Sequence, residues 1–232
     1  MSANATPRPH LQTRLTMITA LHDALRRDVA LLMSAVWDLT ERAADGNGTP
    51  TGGETDDLSG IRAGWETFRR YLTMHQLAED IVLWPAVRAN PRIDSRHTRS
   101  LDAMEDDHNR LHPLTEQVDR ALAAADGREL RRSTEDFCVF LLAHLDREEA
   151  EVLPLAMSAV SAREWALFER EQRRQLGADW AAEFYPWLLD GASDTTHREA
   201  LRLLPVARRL AFHTRWRPRY EQRHRWRPAV TA

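Results

Sequence analysis

Apolar residues recur through residues 10–160 at the three- and four-residue steps of an α-helix, not at the two-residue step of a strand. In residues 10–42 the stripe is Leu15, Ile18, His22, Leu25, Val29, Leu32 and Val36. Residues 58–89 carry Phe68, Leu72, Val82 and Ala86. Residues 94–124 carry Leu101, Met104, His108, Leu111, Thr115, Val118 and Leu122, and residues 128–160 carry Phe137, Leu141, Val152 and Leu155. Between them, residues 44–60 are rich in Gly, Asp and Thr and read as a flexible loop. Asn90-Pro91 disfavours helix at its first residue, and Asp126-Gly127 reads as a tight stop. Four long amphipathic helices with one long and two short connections predict an all-α fold, an antiparallel four-helix bundle. Pro85 and Pro154 should kink or open the second and fourth helices near their ends.

Beyond residue 160 the character changes. Ser161 and Glu164 form a capping box that opens a fifth helix to about residue 176. Residues 178–190 hold Trp180, Phe184, Tyr185 and Trp187 and are too apolar for a linker, so they should fold back on the bundle. A further helix starts near Asp194 and is interrupted at Pro205. Residues 216–228 are rich in arginine and aromatics without a clear period. The expected organisation is a bundle over residues 10–160 and a helical extension with a basic tail over residues 161–232.

Composition narrows the function classes. At 232 residues the chain can bury one sizeable core. It has no apolar run of about 18 residues, so a transmembrane span is not expected, and its N-terminus lacks the apolar stretch of a signal peptide. The single cysteine, Cys138, excludes an internal disulfide and fits a reducing, cytoplasmic setting; beside a core stripe, it reads as a buried inert thiol. The formal charge of −3 hides an asymmetry: from Arg198 onward ten arginines face two glutamates, a net +8, which leaves −11 for the remainder. Lysine is absent throughout, a pattern of GC-rich coding. Arginines interleaved with Trp216, Tyr220 and Trp226 would suit anionic lipid or nucleic acid; a solvated or self-packed tail is the simpler expectation.

The chemistry lies in a repeat. His75-Gln-Leu-Ala-Glu79-Asp80 and His144-Leu-Asp-Arg-Glu148-Glu149 each place His and Glu four apart, with Pro85 and Pro154 ten residues after the histidines. Residues at that spacing share one helix face, here an apolar one. A carboxylate on a core face is costly unless it is paired or binds a metal. His22-Asp-Ala-Leu25 and His108-Asn-Arg-Leu111 add a histidine to each remaining stripe, so the halves together would bring four His and two Glu to one point. Imidazole suits iron and zinc, and carboxylates bridge metal pairs. His112, four residues after His108, breaks the symmetry. Glu105 reads as an accessory or solvated acid. His10, His97, His197, His213 and His224 are expected to be exposed.

The order His, His-x3-Glu, His-x3-His, His-x3-Glu resembles the hemerythrin-like (HHE cation-binding) family over about residues 10–160. The resemblance implies a four-helix bundle holding two non-haem irons bridged by two carboxylates and an oxo or hydroxo group. Carried over, His22 and His75 would bind one iron, His108, His112 and His144 the other, with Glu79 and Glu148 bridging. The oxygen carriers of that family space their last His and Asp by four intervening residues; here Glu148 follows after three, and Glu149, at the carriers' spacing, points off the stripe. The first connection is also long and glycine-rich. Both argue against reversible oxygen transport. The expected function is reaction with a small oxidant (hydrogen peroxide, oxygen or nitric oxide), foremost catalase-like peroxide decomposition. The alternatives are a non-enzymatic oxygen, iron or redox sensor or oxygen-binding protein, and a structural module with a basic tail.

Overall fold

The structure, a computed structural model, describes the backbone of residues 9–44, 53–223 and 225–226, with side chains in 13–42, 58–223 and 225–226. Among these residues every regular element is helical and none is a strand. In chain order they are α1 (Pro9–Ala44), α2 (Gly53–Ala78), a single turn of π-helix π1 (Glu79–Leu83), α3 (Trp84–Arg88), α4 (Ser95–Ala124) and α5 (Gly127–Arg147). A second π turn, π2 (Glu148–Val152), leads to α6 (Leu153–Ala159), α7 (Ala162–Leu176), α8 (Trp180–Leu189), α9 (Asp194–Arg202) and α10 (Val206–Ala211). The third, π3 (Phe212–Trp216), leads to α11 (Arg217–Glu221). The expected loop over 44–60 is shorter than its composition suggests, because α2 already begins at Gly53; residues 45–52 lie outside the described residues.

The chain groups into two compact units. One comprises the described residues up to Leu25 together with Ala178–Arg223; the other comprises Arg26–Gly177 and the described residues after Arg223. In the larger unit α4 packs along α5, α2 lies against α4 and α7, and α3 meets α6. Trp65, Phe68 and Phe137 form its aromatic centre: Trp65 stacks on Phe68 at 5.5 Å, and Phe137 meets Trp65 edge-on at 5.2 Å and Phe68 at 5.8 Å. The indole N–H of Trp65 donates to Asp119 (2.7 Å), tying α2 to α4. Arg26 of α1 reaches Asp146 and Glu149, each at 2.7 Å. Arg131 of α5 lies 3.5 Å over the Trp37 ring of α1. In the smaller unit, α8 carries the inward aromatics and packs against π3 and α11.

The helix ends follow local chemistry, with one departure. Asp94 and Ser161 open α4 and α7 as capping boxes. The stop expected at Asp126-Gly127 falls one residue earlier. Ala125 takes the left-handed conformation (φ 53°), Asp126 caps α5 through its side chain, and Gly127 is already helical.

At Pro85 and Pro154 the helical path widens and continues. Each follows a π turn in which the residue just before the proline donates its backbone N–H to the carbonyl five back: Trp84 to Glu79, Leu153 to Glu148. Proline removes one N–H and crowds the carbonyl four residues earlier, and a wider turn accommodates both. The extra residue also shifts the buried register. Past the turns the core positions are Leu83, Trp84 and Val87, and Val152, Leu153 and Ala156. The uninterrupted period had placed Val82, Ala86 and Leu155 there; all three are only half-buried. Pro218 follows π3 in the same way, with Arg217 donating to Phe212.

Trp226 packs against α2, which fits the simpler expectation of a self-packed tail at this residue. Its backbone N–H donates to the Gly60 carbonyl of α2 at 2.8 Å, and its ring covers Gly64 so closely that a Cβ there would lie 2.3 Å from the indole. Gly64→Ala is therefore expected to displace Trp226 and cost about 1–3 kcal/mol in urea unfolding. The double variant with Trp226→Ala should lose little more than Trp226→Ala alone, and additive losses would show that the two residues do not touch in solution.

Candidate metal centre

The repeat places His75 on the last turn of α2 and Glu79 at the first residue of π1; His144 and Glu148 occupy the same positions on α5 and π2. All four side chains are essentially inaccessible to solvent, as is His22 on α1. His108 on α4 is also buried. Glu79 lies between two imidazoles, with Oε1 3.2 Å from His75 Nδ1 and Oε2 3.6 Å from His108 Nε2. Glu148 Oε2 lies 3.6 Å from His75 Nε2 and 3.9 Å from His144 Nε2. The His108 and His144 rings meet edge-on, 4.9 Å between centroids.

Two of the imidazoles are held from behind. His108 Nδ1 is 2.8 Å from Asp80, the residue after Glu79. His144 Nδ1 is 3.4 Å from Asp107, a buried carboxylate that also accepts from Arg147 at 2.6 Å. With Nδ1 engaged by an acid, each ring presents Nε2 to the interior, the arrangement by which outer carboxylates fix metal-binding histidines. Asp107 and Arg147 fall at no position that the motifs of the sequence single out. Asp107 directly precedes His108 at the edge of the α4 stripe, and that adjacency was the available signal.

Electrostatics mark the same group. Burial first, and then the facing charge of Glu148, push the Glu79 carboxyl well above its usual range. Burial drives His144 down to about 4, although Glu148 opposes the shift. Both oxygens of Glu79, and Nε2 of His108 and of His144, have no hydrogen-bond partner among the described residues. Buried acceptors are normally satisfied, so these atoms fit cation ligands. Two carboxylates with several imidazoles form a donor set suited to iron, manganese or zinc.

Other expected participants stand apart. His112 is 77% exposed and lies 3.7 Å from Glu116, so the structure does not bring it to the group. From Leu111 one further residue turns about 100° around the helix, which carries position 112 past the edge of the buried stripe formed by Met104, Asp107, His108, Leu111 and Val118. Glu149 is taken up by Arg26 and Glu105 by Arg88 (2.9 Å). His213 is exposed, but His97 and His197 are half-buried; the His97 side chain completes the Asp94 capping box. The side chains of His10 and His224 lie outside the described residues. Cys138 is buried, and burial pushes its thiol up to about 12, as expected of an inert core residue.

The family model for the hemerythrin HHE cation-binding domain matches residues 13–156. The chain belongs to that family and is a metal-binding protein of its class. No curated protein and no solved structure matches it.

Without metal the two shifted groups act on stability in opposite directions. Glu79, raised in the fold, contributes stability below its unfolded value that is lost as pH climbs through its folded value. His144, lowered from 6.5 to about 4, costs stability as pH falls through that window, because the unfolded chain takes up the proton first. Metal-free Glu79→Gln should therefore be more stable than metal-free wild type by about 1–3 kcal/mol at pH 8, and the gap should shrink towards pH 5 in urea titrations. A gap independent of pH would show that Glu79 titrates in the metal-free fold as it does in the unfolded chain.

The outer residues predict a contrast in metal affinity. Asp107→Asn should weaken metal binding about 10–100-fold in chelator competition, whereas His112→Ala should leave it unchanged. Equal losses in the two variants would return His112 to the ligand set.

Proposed function

We propose that the chain holds two iron ions joined by an oxo or hydroxo group and uses them to react with a small oxidant, hydrogen peroxide ahead of oxygen or nitric oxide. In this reading α1, α2, α4 and α5 form an antiparallel four-helix bundle over residues 10–160, with residues 161–232 as a helical extension. His22 and His75 would hold one iron and His108 and His144 the other, and Glu79 and Glu148 would supply carboxylates to the pair. One observation carries the assignment: two fully buried carboxylates face each other, and each lies within 4 Å of imidazoles from two different helices. A pair of cations would neutralise both carboxylates and engage the imidazoles together, whereas a single cation leaves part of the set buried without a partner. Among the metals that this donor set suits, membership of the hemerythrin family favours iron.

When bound, the iron pair supplies the electrons that a two-electron oxidant exchanges. The chain supplies position, dryness and proton transfer. Phe68, Leu72, Phe137, Leu141 and Leu145 are buried on the helices that carry the ligands and keep bulk water out. Asp107, itself held by Arg147, fixes the His144 ring. Asp80 does the same for His108, and its side chain is 35% exposed, so one carboxylate touches both a ligand ring and solvent. Converting two peroxides into one oxygen and two waters requires protons to move between peroxide oxygens, and Asp80 is the acid–base group placed to carry them.

Native purification should yield about two irons per chain, and Glu79→Ala and Glu148→Ala should each lose metal. In an oxygen electrode the iron-loaded protein should evolve oxygen from peroxide, and Asp80→Asn should slow turnover by about 10²-fold or more while retaining its iron. A single zinc, or no metal, overturns the pair. A stable, reversible oxygen spectrum with negligible peroxide turnover makes the protein an oxygen binder or sensor instead.

A further inference from the structure

In the smaller unit, residues 206–221 run as a continuous helical path through α10, π3 and α11. Its inner side is seated: Phe212 and Tyr220 are buried, and the Tyr220 hydroxyl donates to Asp190 at 3.1 Å. Its outer side is not. Val206 and Leu210, one turn apart on α10, are 73% and 64% exposed, and Leu203, just before that helix, is 51% exposed. Three aliphatic side chains so close together are more than the scattered apolar exposure of an ordinary surface. Arginines surround them: residues 202–219 contain Arg202, Arg208, Arg209, Arg215, Arg217 and Arg219 and no acidic residue. All but Arg209 are exposed, and Arg209 is half-buried.

We propose that this face binds an anionic membrane surface, lying in the headgroup layer with Leu203, Val206 and Leu210 inserted and the arginines on lipid phosphates. An apolar stripe beside a dense run of arginines is what interfacial binding uses, because aliphatic insertion and attraction to anionic headgroups add. No described helix is long and apolar enough to cross a membrane, so the contact is peripheral. Long arginine stems lie along apolar surface while their guanidinium groups reach the phosphates. A second copy of the chain fits less well. A twofold contact through this face sets Arg202, Arg208 and Arg215 against their counterparts, and the one acid on the helical path, Glu221, is already paired with Arg217 at 2.8 Å. Nucleic acid satisfies the arginines but gives the three aliphatic side chains no apolar counterpart. None of these residues belongs to the His/Glu group.

The test is sedimentation of the full-length, metal-loaded protein with phosphatidylcholine vesicles and with vesicles containing roughly one-third phosphatidylserine. Binding is expected to the anionic vesicles only, and raising the salt should weaken it. Arg208→Gln with Arg215→Gln, both exposed, should lower the partition coefficient on the order of 30-fold. Val206→Ser with Leu210→Ser, which leaves the charge intact, should lower it by about tenfold or more. Both pairs are on the outer side, and unchanged circular dichroism checks their folding. The proposal fails if wild type does not sediment with anionic vesicles, if zwitterionic vesicles bind it equally, or if both double variants bind like wild type. Binding to single-stranded RNA without binding to vesicles assigns the face to nucleic acid and overturns it as well.

Discussion

Two carboxylates that face each other out of reach of water constrain this molecule more than any other feature. Glu79 and Glu148 are completely buried, and each charge raises the cost of ionising the other. An apolar core tolerates such a pair only if it is protonated or neutralised by cations, and a protein with an apolar need alone would have placed leucines there. The surrounding side chains are arranged for neutralisation. Imidazoles from separate helices point at the carboxylates, and outer acids hold two of the rings in place.

The ligand turns are also where the helices change pitch. Both glutamates start a π turn, and both turns end just before a proline. The spacing from His to Glu to Pro therefore records two requirements superimposed. The His-to-Glu step places two ligands on one face, and the Glu-to-Pro step is the length of a wide turn that a proline can leave without a clash. Phe212 and Pro218 repeat the second spacing at π3, which shows that the wide turn belongs to the backbone and not to the metal. Local geometry and site chemistry meet at the same residues without being the same constraint.

His108 and His144 each have an acid behind Nδ1. An acid behind an imidazole makes the ring a stronger donor and fixes its orientation.

Much of this was written in the sequence, for a physical reason: helical periodicity and the cost of burying charge are both local signals. Stripes of period 3.6 gave the all-helical fold, and the four-residue step from His to Glu on those stripes gave the buried His/Glu group. Capping residues such as Ser161 and Glu164 were equally readable, since both partners lie within one turn. Tertiary structure decided what depends on rotation about a helix or on distant neighbours. One extra residue in each π turn moved the core from Val82 and Ala86 to Leu83, Trp84 and Val87. A turn of about 100° past Leu111 sent His112 to solvent. Asp107 became the support of His144 only because α4 lies along α5, and Trp226 found Gly64 far away in the chain. Periodicity states which residues share a face; only packing states what that face meets.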